Sequence, residues 1–92
     1  MLTIHKYHII HGQKYVDLQL PIGAKILTIQ MQHNEPFVWA LINPDADFEN
    51  RQFAIYGTGH PIVDDIGKLF YIGTFQMMEG MLVWHFFENI GG

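Results

Sequence analysis

Short apolar–polar alternations, broken every few residues by glycine, proline or asparagine, run through almost the whole chain. Tyr15-Val16-Asp17-Leu18-Gln19-Leu20 alternates strictly. So does Lys25–Gln32, with Leu27, Ile29 and Met31 on one side and Thr28, Gln30 and Gln32 on the other. A period of two places alternate side chains on opposite faces of a strand, whereas a helix needs a period near 3.6. No window of 11 or more residues carries a convincing helical period. Seven strand-like runs emerge: 2–10, 15–20, 25–32, 37–42, 51–56, 69–76 and 81–88. β-branched and aromatic residues dominate them. The spacing predicts hairpins 25–32/37–42 and 69–76/81–88, joined across His33-Asn34-Glu35-Pro36 and Met77-Met78-Glu79-Gly80. Residues 43–50 read as one acidic, turn-rich loop, and 62–67 as a turn or a single helical turn.

This pattern implies an all-β fold over residues 1–92 as a single domain. It is an antiparallel β-sandwich or a small partly open barrel of six or seven strands. Phe37–Ile42 and Met81–Phe87 are apolar on both faces and therefore predict burial from two sides. The chain is 49% hydrophobic and only 15% charged, against about 25% charged in an average domain. A small domain so poor in charge is expected to hide surface in a homo-oligomer, most simply a dimer.

The net charge is −4 and the five basic residues, Lys6, Lys14, Lys25, Arg51 and Lys68, are dispersed. A phosphate-tracking stripe is absent, which argues against direct nucleic-acid binding. No apolar run reaches the roughly 20 residues that span a bilayer as a helix, and no leader-like pattern opens the chain. These features imply no membrane and a cytoplasmic setting. Six histidines make association sensitive to pH near 6 an expectation.

Chemistry concentrates in Tyr56-Gly57-Thr58-Gly59-His60-Pro61. Two glycines permit positive φ or close approach. Thr58 offers a hydroxyl, and His60 an imidazole able to donate to an anion or accept a proton. Tyr56 and Tyr71 offer aromatic faces for a flat ligand or a protein partner. Thus Tyr56, Gly57, Thr58, Gly59, His60 and Tyr71 form the candidate ligand- or partner-binding set. The same residues also fit a braced turn packed by aromatic pairs. The loop lacks the Gly-Lys-Ser/Thr ending of a nucleotide-binding P-loop.

Other constellations are weaker. His5, His8 and His11 are spaced by three, but a strand sends His5 and His8 to opposite faces. Asp45, Asp47 and Glu49 alternate like a calcium loop without its glycine and closing glutamate. Asp64 and Asp65 are adjacent acids, and His85 sits inside an aromatic run. With no cysteine and no serine, the usual nucleophiles are missing. The expectation is a non-enzyme with no cofactor and no metal.

Leu20-Pro21-Ile22-Gly23-Ala24-Lys25-Ile26-Leu27, Trp39–Asp45, Gly57–Ile62 and Tyr71-Ile72-Gly73-Thr74-Phe75-Gln76 together resemble a family of small tailed-phage proteins known only as a domain of unknown function. The resemblance extends from Ile4 to Phe87. It implies a phage accessory product in the cytoplasm of an infected bacterial host. It brings no catalytic residues. The expected role is binding a host protein, with inhibition of antiviral defence as the specific form. The alternatives are a homo-oligomeric sponge for a nucleotide-like signalling molecule and a minor virion or assembly component.

Overall fold

The computed structural model describes residues 1–10 and 12–91. It contains β1 (Thr3–His8), β2 (Tyr15–Pro21), β3 (Lys25–Gln32), β4 (Glu35–Ile42), β5 (Phe48–Gly57), β6 (Leu69–Met77) and β7 (Leu82–Asn89). A single 3₁₀ turn, Ile66–Lys68, precedes β6. Three strands form one sheet in the order β1-β4-β3. Four form the other in the order β2-β5-β7-β6. All pairings are antiparallel. The architecture is a sandwich of two open sheets rather than a closed barrel. β3 and β6 make the main contact between the sheets.

The core forms where alternating positions of both sheets meet. Ile29, Val38, Ala40 and Ile42 come from the three-stranded sheet. Leu20, Phe53, Ile55, Phe75 and Phe86 come from the other. Phe53 and Phe86 are fully buried and stacked at 5.1 Å. At the rim, Arg51 donates from Nε and Nη2 to the Glu88 carboxylate at 2.6 and 2.8 Å. Arg51 also donates to the Ala24 carbonyl. This bidentate pair holds β5, β7 and the β2–β3 turn together. The Glu88 hydrogen bond raises the Arg51 pKa above its ordinary value.

Both predicted hairpins form, as β3/β4 and β6/β7. Two of the boundary differences from the sequence reading have a clear physical reason. Pro36 lies inside β4, because His33 and Asn34 alone make the turn, at φ 51° and 65°. That is a two-residue hairpin turn. The Ile9 N–H donates to Pro36 O at 3.0 Å. The even residues of β4 therefore face β1, and the proline nitrogen points past the end of β1 without interrupting the β3–β4 ladder. The other difference is the start of β5. Phe48, Glu49 and Asn50 pair with Pro21, Leu20 and Gln19, so the acidic loop ends at Asp47.

β5 and β6 run parallel with β7 between them, so residues 58–68 must carry the chain from one end of the sheet to the other. This strap crosses the outer face of the four-stranded sheet. Its position explains why Phe53, Ala54, Ile55 and Tyr56 are all buried: one pair faces the core and the other lies under the strap.

Candidate functional site

The strap is anchored by Asp64. Its carboxylate accepts from the Tyr15 hydroxyl at 3.0 and 3.2 Å and from the Tyr56 hydroxyl. Tyr15 pairs with Ala54, so its ring shares the outer face with that of Tyr56. The Lys14 ammonium lies 5.2 Å from the Tyr56 ring centre and 5.6 Å from that of Tyr15. Burial, then the Asp64 hydrogen bond, pushes the Tyr56 pKa up to about 12. The hydrogen bond to Asp64 also raises that of Tyr15. Tyr56 is 3% exposed, so neither ring face is open to a ligand; its part is to hold the strap.

The Gly57–His60 segment is a tight turn. His60 N–H donates to Gly57 O at 3.1 Å, and Thr58 N–H donates to Val83 O at 3.2 Å. Gly59 occupies φ +85°, the third position of a type II turn, where side chains other than glycine are strained. Gly57 serves close approach. A Cβ there would meet His60 Cε1 and Nδ1 at 2.8 Å and Trp84 Cζ3 at 3.2 Å. His60 sits edge-on to Trp84 at 6.3 Å.

A polar chain occupies the same sheet farther across. Thr58 Oγ1 is 2.7 Å from His85 Nε2, and Thr74 Oγ1 is 2.9 Å from His85 Nδ1. Tyr71 and Thr74 share a further hydroxyl–hydroxyl hydrogen bond. The order Tyr71–Thr74–His85–Thr58 thus bridges β6, β7 and the turn. Tyr71 also packs edge-on against Phe87 at 5.4 Å and remains 53% exposed.

The six residues singled out in the sequence are therefore near one another but serve three arrangements. Tyr56 joins the Asp64 clamp. Gly57, Gly59 and His60 shape the turn against Trp84. Thr58 and Tyr71 join through His85. Sequence reasoning missed Tyr15, Lys14, Thr74 and Trp84. The period-two pattern already put Tyr56 and Gly57 on opposite faces. The Thr74–His85 pairing depends on the register shift between Tyr71 and Gly73, which no sequence signal gave.

Gly12, Gln13, Lys14, Ile55, Tyr56, His60, Pro61, Val63 and Trp84 line a cleft of about 380 Å³. The Trp84 Nε1 is buried and has no hydrogen-bond partner among the described residues. The other constellations are engaged locally. Asp65 Oδ1 accepts from Gly67 N–H at 3.0 Å, while Asp64 faces the tyrosines, so the adjacent acids do not act as a pair. Glu49 accepts from Gly23 N–H at 3.1 Å, and Asn43 from Asp45 N–H at 3.0 Å. His5 and His8 project to opposite faces of β1; His8 lies 3.4 Å from Glu35. His11 lies outside the described residues. Among the described residues, no group of three His, Asp or Glu side chains is placed to hold a metal.

No curated protein and no solved structure matches the chain. A family model matches residues 1–91, nearly the full length of the 92-residue chain. The chain belongs to the domain family of unknown function DUF7352.

Proposed function

We propose that this domain is a non-enzymatic binding protein whose recognition surface is the strap together with the adjoining Gly57–His60 turn. One observation carries the reading. Ile62, Val63 and Ile66 are 45%, 68% and 62% exposed on a connection fixed in place by Asp64. A clustered apolar display on an anchored segment is unusual for surface that meets only water. Its aliphatic character suits a protein partner better than a small polar solute. The tailed-phage resemblance supports a host protein as that partner, with steric inhibition of a defence component as the specific form.

Affinity capture from bacterial lysate tests this, with Val63→Asp and Ile66→Asp beside the unaltered chain. Both positions are exposed, so the fold is expected to persist. A single host protein retained by the unaltered chain and lost by both variants supports the reading. Capture that survives both changes overturns it.

A second reading rests on the cleft. Its Trp84 wall, the Lys14 side chain and His60 suit a small planar anion, as the nucleotide-sponge alternative requires. Nucleotide absorbance co-purifying with the folded chain, and lost in His60→Ala, supports that reading in place of the first.

A further inference from the structure

We propose that the free edge of β1 pairs with β1 of a second copy of this chain, giving a two-fold dimer with one continuous six-stranded sheet. The two sheets have four edge strands, β1, β3, β2 and β6, and three carry features that discourage pairing. β3 is bulged between Ile26 and Thr28, and β6 between Tyr71 and Gly73. β2 ends in Pro21. The Ile55 N–H donates to Lys14 O, so even residues of β2 face β5 and the Pro21 nitrogen faces outward. Each is a recognised protection against edge-to-edge association.

β1 has none of these. It is regular over Thr3–His8, with every residue in register with β4. The Ile9 hydrogen bond to Pro36 assigns odd residues to β4. The N–H and C=O groups of Ile4, Lys6 and His8 therefore point away from the sheet. Among the described residues nothing pairs with them.

A lysine on an edge strand ordinarily repels an incoming strand. Lys6 is turned the other way. Its ammonium lies 4.7 Å from the Phe37 ring centre and 5.7 Å from that of Trp39, and it donates to Gln32 on the far strand, β3. His8 leans the same way, toward Phe37 and Glu35. What remains upright beside the edge is apolar: Leu2 is 60% exposed and Ile4 55%.

The geometry also narrows the register, and centring it on His5 pairs the whole of residues 2–8. Residues opposite one another across two antiparallel strands share a face. A two-fold axis normal to the sheet must then pass through a residue. Passing it through Lys6 would set the two Lys6 residues directly opposite, which like charges disfavour. Passing it through His5 sets Ile4 opposite Lys6 of the second copy and Leu2 opposite its His8. The outward-facing groups of Ile4 and Lys6 then meet as hydrogen-bonded pairs. This self-complementarity is the reason for a second copy rather than a foreign strand. The pairing uses an edge of the three-stranded sheet, and the strap lies on the four-stranded one, so it stands or falls separately from the proposed partner surface.

The chain contains no cysteine, so engineered cysteines report the register cleanly. His5→Cys places two cysteines opposite one another in a non-hydrogen-bonded pair, with Cα atoms about 4.5 Å apart, within disulfide reach. Mild oxidation is expected to give a covalent dimer with His5→Cys and not with Lys6→Cys. Sedimentation of the unaltered chain at high micromolar concentration is expected to show a dimer. Ile4→Pro deletes a donor that faces the second copy and none that faces β4. It is expected to weaken the dimer roughly tenfold or more, since two hydrogen bonds are lost across the axis. Circular dichroism checks that this variant keeps its β fold; Ile4→Lys, which leaves the backbone intact, is expected to weaken the dimer as well. A monomer at high concentration, cross-linking through Lys6→Cys instead, or a dimer untouched by Ile4→Lys overturns the proposal.

Discussion

The two sheets meet the same problem in opposite ways. β5 of the four-stranded sheet, over Phe53–Gly57, and β4 of the three-stranded sheet are both apolar on both faces. Over Ala54 and Tyr56 of β5 the chain supplies its own cover, the strap, locked by Asp64 to two tyrosine hydroxyls. Over β4 it supplies the Lys6 stem lying along Phe37 and Trp39 and the His8 ring against Phe37, and the outer positions of β4 stay half-buried. An apolar outer face thus says that cover is needed. It does not say whether the cover comes from the same chain.

The largest difference between the two regions is expected on truncating the outer aromatic of each. Tyr56→Ala removes a buried ring and frees Asp64, and about 3–5 kcal/mol of stability is expected to be lost. Trp39→Ala removes a half-buried ring, and a loss well below that of Tyr56→Ala is expected. Denaturant melts of both variants check the order. Equal losses would erase the distinction between a covered and an open face.

Gly57→Ala comes next. The added methyl meets the His60 imidazole at 2.8 Å, and either the ring or the turn must shift. Overpacking of this kind costs about 1–3 kcal/mol, read as a lowered Tm. An unchanged Tm would show that His60 swings aside freely and that the turn is not braced by Trp84.

Alkaline titration sharpens the comparison further. The Tyr56 pKa is raised from 10.0 to about 12 in the folded chain. A raised pKa means that the folded state holds its proton more firmly. The contribution is therefore complete below about pH 10 and lost as pH climbs toward 12. Stability is expected to fall over that window in the unaltered chain and to fall less in Tyr56→Phe. Matching slopes would detach Tyr56 from the strap clamp.

The smallest expected effect is on the open side. Ile4→Lys changes an exposed residue, and stability measured at dilute, monomeric concentration is expected to move by no more than about 0.5 kcal/mol.

Most of the fold was legible because a period of two survives wherever one face is buried. Pro36 was read as a breaker because its neighbours look like a turn. It is tolerated because its nitrogen points past the end of β1, a fact of register. Phe48-Glu49-Asn50 read as loop by composition, yet cross-strand pairing with Gln19–Pro21 outweighs that bias. The strap was not legible at all. Nothing in Pro61–Lys68 announces that it crosses a sheet, since its anchor, Asp64, works through Tyr15, nearly fifty residues earlier. The candidate site was legible as a place and not as an arrangement. Thr58 and Tyr71 were chosen as ligand contacts, but what links them is His85 and Thr74, set by the bulge in β6.

The contrast between a self-covered face and an open edge is tested most directly by amide hydrogen exchange followed by NMR across protein concentration. The amides of Ile4, Lys6 and His8 point away from β4, whereas that of Ile55 donates to Lys14 O at 2.7 Å within the chain. Slower exchange at Ile4, Lys6 and His8 as concentration rises is expected, with Ile55 and the strap amides unchanged. Exchange at the three β1 amides that ignores concentration, or concentration-dependent protection in the strap instead, would contradict the account.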